Sequence, residues 1–204
     1  MRLLLMAMFV VSISLTAVTQ EQDEIPAPKL STEPLTSEQI AIYRAVLKNY
    51  LKGSDGKLNL ANTTEPFDKS ISTCLEGIEE NAIKKASLVV HRIEPLLVQN
   101  TNIVLVDPDK QQTTIEKNDP QNLIKRSIDD HEKVTDDQLD QSVKQAFDTG
   151  LFRLSEIVFD KTYHHAVVSY SFVCGGLCGN GTRLILTKFA GGWKVTKRCG
   201  GWVS

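Results

Sequence analysis

The most reactive side chains in this 204-residue chain are its four cysteines, Cys74, Cys174, Cys178 and Cys199, and its four histidines, His91, His131, His164 and His165. Cys174 and Cys178 bracket Gly175, Gly176 and Leu177 after a β-branched run. A three-residue hairpin loop would set them opposite each other at the ~5.5 Å Cα spacing that a disulfide tolerates. Cys74 and Cys199 would then pair across more than 100 residues, a closure for which the chain-entropy model gives roughly 4 to 5 kcal/mol. Pairing of Cys199 with Cys174 or Cys178 is the competing arrangement, since four cysteines allow three connectivities. Other sulfur chemistry fits less well. A thioredoxin-like redox site needs C-x-x-C at a helix N-terminus, whereas CGGLC has one residue more and follows a strand pattern. A zinc site needs free thiolates, which an oxidising compartment removes.

The histidines and acids form no complete catalytic set. His164 and His165 sit beside Asp160 and Tyr163, but adjacent strand residues point to opposite faces, so the pair reads as a solvated turn. His91, at the end of SLVVH, reads as a core-edge histidine, and His131 as part of a solvated acidic loop. Asp107 and Asp109 lack the third acid, central glycine and terminal glutamate of a calcium loop. Asp136, Asp137 and Asp140 are explained by the dipole at a helix start. G-x-S-x-G, H-E-x-x-H, P-loop and dinucleotide glycine patterns are all missing. No catalytic residue, metal ligand or cofactor is therefore assigned.

The oxidising compartment is read from the N-terminus. Met1 and Arg2 precede the apolar run at residues 3–18, with Ala17 and Thr19 where a signal peptidase would cut. The run is short for a membrane span, and an uncleaved anchor is the alternative. Residues 1–19 are thus expected to be a signal peptide, residues 20–35 a proline-rich flexible linker, and residues 36–204 one domain. The localisation expected is secreted or periplasmic, with no span in the mature chain. A net charge of −2, from 23 basic and 25 acidic residues, argues against a nucleic-acid partner, which calls for a basic excess.

Two amphipathic helices are expected. One starts at the T-S-E-Q cap of Thr36 and carries Ile40, Tyr43, Val46, Leu47 and Tyr50; the other starts at Thr135 and carries Leu139, Val143, Ala146 and Phe147. Each stripe reads as a core face. Residues 107–130 read as loops with a short helix after Pro120, and KLNLANTT, SLVVHRI and NIVLVD as short strands. The last fifty residues read as four strands joined by connections too short for parallel crossovers. In the second of these, Ala166, Val168, Tyr170, Phe172 and Cys174 share one face, which suggests a half-buried strand. The fold class is α+β: N-terminal helices packed on a C-terminal antiparallel β-meander, stabilised by disulfides.

Charge is unevenly distributed. Beyond Asp160 there is no acid, but Lys161, Arg183, Lys188, Lys194, Lys197 and Arg198 are basic, while residues 107–149 hold eleven acids against six bases. Mutual neutralisation of the two segments is the expected outcome, with a basic face for an anionic ligand as the alternative. Trp193 and Trp202 read as sheet-packing residues.

The segment YSFVCGGLCGNG, followed by GGWKV and CGGWVS, with DPDKQ, NDP and LSEIVFDK upstream, resembles a group of exported bacterial proteins ending in C-G-x-L-C-G-x-G, G-W-K-V and C-G-G-W-V-S. The resemblance implies export and a shared fold and carries no catalytic residue with it. The expected function is that of an exported, non-catalytic domain binding a ligand or envelope component through the sheet around residues 174–181. The alternative is a hydrolase or other enzyme whose polar residues, such as His91, Glu94 and His165, converge in space. A buried histidine within ~3 Å of a carboxylate in a cleft favours that alternative.

Overall fold

The computed structural model describes residues 26–53, 56–68, 77–99, 101–131 and 133–204. In chain order the elements are β1 (Lys29–Leu30), α1 (Ser37–Tyr50), β2 (Leu58–Ala61), α2 (Glu80–Ala86), β3 (Val89–Val90), α3 (Pro95–Val98) and β4 (Ile103–Val106). Three helices follow, α4 (Pro108–Lys117), α5 (Pro120–Asp130) and α6 (Asp136–Thr149). The chain ends in β5 (Leu151–Leu154), β6 (Val158–Phe159), β7 (His165–Gly175), β8 (Cys178–Phe189) and β9 (Gly192–Val203). The α+β class is observed.

Local chemistry explains the helix starts. The Thr36 hydroxyl accepts the Gln39 N–H, and the Gln39 side chain accepts the Thr36 N–H in return; Thr135 and Gln138 repeat this reciprocal cap on α6. α4 is a correction to the loop expected there. Asp107 accepts the N–H groups of Asp109 and Lys110, and Pro108 occupies the first turn, where its missing N–H costs nothing. Asp119 and Pro120 start α5 in the same way.

The main sheet runs β4-β2-β5-β7-β8-β9, with β6 also paired to β7. From β5 onward the pairing is antiparallel, as the short connections require. β2 pairs in parallel with both β4 and β5, an addition to the antiparallel meander expected. β1 pairs with β3 and Leu35 is buried, so the expected linker is docked before residue 35.

One sheet face packs on Ile42, Tyr43, Val46 and Leu47 of α1, which meet Leu60, Phe152, Leu154, Val168, Leu184 and Leu186. The other face is also covered. Phe67 and Ala86 close over Val158 and Val167, and Ile115 of α4 closes over Ala61 and Leu151. β7 is therefore buried on both faces along its first residues, not half-buried as its alternation suggests, because Val167 meets a second apolar layer. Trp193 is buried, whereas Trp202 is half-exposed and lies over Gly179 and Gly181, where a Cβ on Gly181 would fall 2.5 Å from the indole nitrogen.

Candidate functional site

β7 carries a concave site at each of its ends. At its C-terminal end the chain reverses through residues 175–177, and Cys174 and Cys178 are disulfide-bonded with Cα atoms 5.0 Å apart. By the chain-entropy relation, closing so short a loop contributes about 2 kcal/mol. A second tether holds the tip. Asp119 accepts the Gln121 N–H through Oδ1 as the cap of α5, and the Gly176 N–H through Oδ2 at 2.7 Å. One carboxylate thus joins a helix N-terminus to a hairpin tip 57 residues further along the chain.

Between α5, α6 and this tip lies a cleft of about 430 Å³, lined by Ile124, Leu139, Val143, Phe147, Phe172 and Leu177 among others. Its walls are predominantly apolar. Leu139, Val143 and Phe147 form one stripe of α6 at four-residue spacing, which their sequence pattern marks as a core face. Only Ala146 of that helix is buried; Phe147 is 54% exposed and Leu177 73%. The stripe is therefore one wall of an open cleft. Phe147 stacks on Phe172 with centroids 6.1 Å apart and planes 15° from parallel. Gly150 makes room for that ring, since a Cβ there would fall 2.3 Å from Phe172 Cζ. Asp119, Gln121, Asn180 and Ser204 supply the polar groups of the rim.

At the N-terminal end of β7, the arm before α1, the helix α2 and residues 156–163 enclose a second cleft of about 830 Å³ whose lining includes His91 and Glu156. The Glu156 side chain is 5% exposed and that of His91 14%, and His91 Nδ1 lies 2.9 Å from Glu156 Oε1. The same oxygen accepts the His91 backbone N–H at 3.0 Å and the Thr64 hydroxyl. Tyr43, whose hydroxyl donates to the Ser155 carbonyl, has its phenol pushed well above its ordinary pKa by burial and by the Glu156 charge.

Of the residues proposed for a dispersed enzyme site, His91 gains a buried carboxylate partner, but the partner is Glu156. Glu94 stands at the start of α3, and the exposed His165 contacts Thr187 through Nδ1 at 3.2 Å. Glu156 had one legible signal, a charged residue inside the apolar run LSEIVF, where burial requires a partner. His164 ends an exposed turn and His165 is the exposed first residue of β7, both donating backbone N–H to Asp160 Oδ1 at 2.9 Å. Burial raises the Asp160 pKa, but hydrogen bonds from Thr162, His165 and His164, with the His165 charge, outweigh it and lower the carboxyl below its ordinary range. His131 is exposed in the left-handed position that ends α5.

Cys199 is disulfide-bonded, and Cys74, its expected partner, lies outside the described residues. Among the described residues no group of three or more His, Cys, Asp or Glu side chains is placed to hold a metal, and no helix is long and apolar enough to cross a membrane. Two of the C-terminal bases form ion pairs outside the acidic segment. Lys188 pairs with Glu38 of α1 at 2.7 Å and Lys161 with Glu79 at 3.1 Å, neither partner coming from residues 107–149.

Comparison with protein-family models, with curated protein sequences and with solved structures gives no match.

Proposed function

We propose that the protein is an exported binding domain whose cleft at the disulfide-closed tip takes a small apolar molecule with one uncharged polar end. The observation that carries this reading is the uncovered stripe Leu139, Val143 and Phe147, which faces Leu177 and Phe172 across a concavity of about 430 Å³. Such a volume lies within the ~300 to 1,000 Å³ range of small-molecule sites. Concavity favours a small ligand over a flat protein partner, and the apolar walls favour burial of its hydrocarbon body. The rim offers Gln121 and Asn180 to an uncharged polar end, while the Asp119 carboxylate disfavours an anionic one. The disulfide and the Asp119 tether fix one wall against two helices, so part of the ordering cost of binding is met during folding. Export rests on the leader pattern and on the resemblance to exported bacterial proteins, and the disulfide suits that destination.

Titration with the neutral fluorophore N-phenyl-1-naphthylamine tests the reading. Saturable enhancement at one site is expected, with Phe147→Asp weakening it by about tenfold or more, the loss of some 1.4 kcal/mol or more of apolar contact. Equal binding by both proteins would contradict it.

The enzymatic alternative retains the His91–Glu156 pair in its favour and loses Glu94 and His165.

A further inference from the structure

Independently of the apolar cleft, we propose that His91 is a general base, held by Glu156 as a positioning residue, for hydrolysis of an uncharged ester bound in the cleft at the N-terminal end of β7. The geometry fixes the ring. Glu156 Oε1 lies 2.9 Å from Nδ1, so the neutral imidazole carries its proton there and presents an unprotonated Nε2. Nε2 has no hydrogen-bond partner among the described residues. The carboxylate is fixed in turn by the Thr64 hydroxyl and the His91 backbone N–H. This is the base-and-orienter half of a catalytic constellation, with an open cleft where the substrate would lie.

Charge and magnitude select the substrate class. Glu33, Glu38, Glu79, Glu156 and Asp160 line the cleft against Lys85 and Lys161, and Lys188 pairs with Glu38 from outside the lining, so an acidic excess remains that disfavours anions. A single acid–base group supplies about 10² to 10⁴-fold in rate, enough for an ester with a good leaving group and too little for an amide. In the step itself Nε2 takes a proton from water while the water oxygen attacks the ester carbonyl carbon. The bond from that carbon to the leaving oxygen then breaks, and the imidazolium returns its proton to that oxygen. Ester and water become acid and alcohol, with no change of oxidation state.

The test uses the full chain with its disulfides formed and p-nitrophenyl acetate as the probe. Saturable release of p-nitrophenol is expected, about tenfold or more above an equal concentration of free imidazole. His91→Gln should remove this excess; Glu156 keeps the Thr64 hydroxyl and the residue-91 backbone N–H as donors there, and the side-chain amide offers a third. Glu156→Gln should lower kcat while leaving KM within about twofold, the mark of lost positioning rather than lost binding. Should Glu156→Gln fail to fold, nitrogen-15 shifts of His91 in the wild-type chain supply the second readout, with the Nδ1–H tautomer expected. Turnover by His91→Gln equal to wild type, wild-type turnover no faster than imidazole, or an Nε2–H tautomer would each overturn the proposal.

Discussion

Two carboxylates show how single residues tie distant parts of the chain together. Asp119 caps α5 and holds Gly176. Asp119→Ala removes both contacts and is expected to destabilise the chain by about 2 kcal/mol, the sum of a lost cap and one further hydrogen bond. Asp119→Asn keeps the cap but turns an amide NH2 toward the Gly176 N–H, so it should recover only about half of the loss; urea unfolding of the two variants makes the comparison. Glu38 accepts from Lys188 and from the Trp193 indole N–H at 2.8 Å. The Lys188 hydrogen bond holds its carboxyl below the ordinary range, against partial burial and with help from Trp193. A lowered folded-state pKa stabilises above the unfolded-state value and is lost as pH falls through the folded one. The urea midpoint should therefore fall on acidification through and below the carboxylate range, and less steeply in Glu38→Gln. Asp160, lowered in the same direction, accounts for part of what remains.

Elements differ in how much of their environment is written locally. α1 and α6 were legible from caps and spacing, because both depend on residues within a turn of each other. The exposure of α6 was not, since periodicity shows that a helix has an apolar side and not whether anything is packed on it. α4 is not legible in the sequence because, beyond its start signal Asp107 and Pro108, it has only one buried residue, Ile115, to mark a periodic face. The parallel pairing of β2 with β4 and β5, and the meeting of His91 with Glu156 across 65 residues, are set by packing of distant segments, which no local pattern encodes. The Cys174 to Cys178 bridge was legible because its loop is short. The double substitution Cys174→Ser with Cys178→Ser should cost about 2 kcal/mol while leaving the β7 and β8 register intact, because ladder pairs from His165 with Thr187 to Val173 with Gly179 precede the tip. Hydrogen exchange should show faster opening confined to the tip and the adjoining end of α5. Exchange accelerated along the whole of β7 would show that the bridge sets the strand register.

At the scale of the whole molecule, helices on both faces of one sheet leave its ends open, and β7 carries a different surface to each. The tip end is apolar and covalently closed; the opposite end is polar and holds a buried carboxylate. β8 flanks β7 along its length on one side and β5 and β6 pair with it on the other, and Phe152, Leu154, Leu184 and Leu186 are buried to 0% exposure, so the two sites rest on a packed core. Occupation of the tip cleft should therefore be felt locally. The most direct measurement is a methyl-resolved NMR titration of the chain, disulfides intact, with 1-decanol. Shifts should saturate at Ile124, Leu139, Val143 and Leu177 while Val46, Leu60 and Leu186 stay fixed; absence of saturation, or shifts centred on those core methyls, would contradict the assignment of the cleft as the binding site.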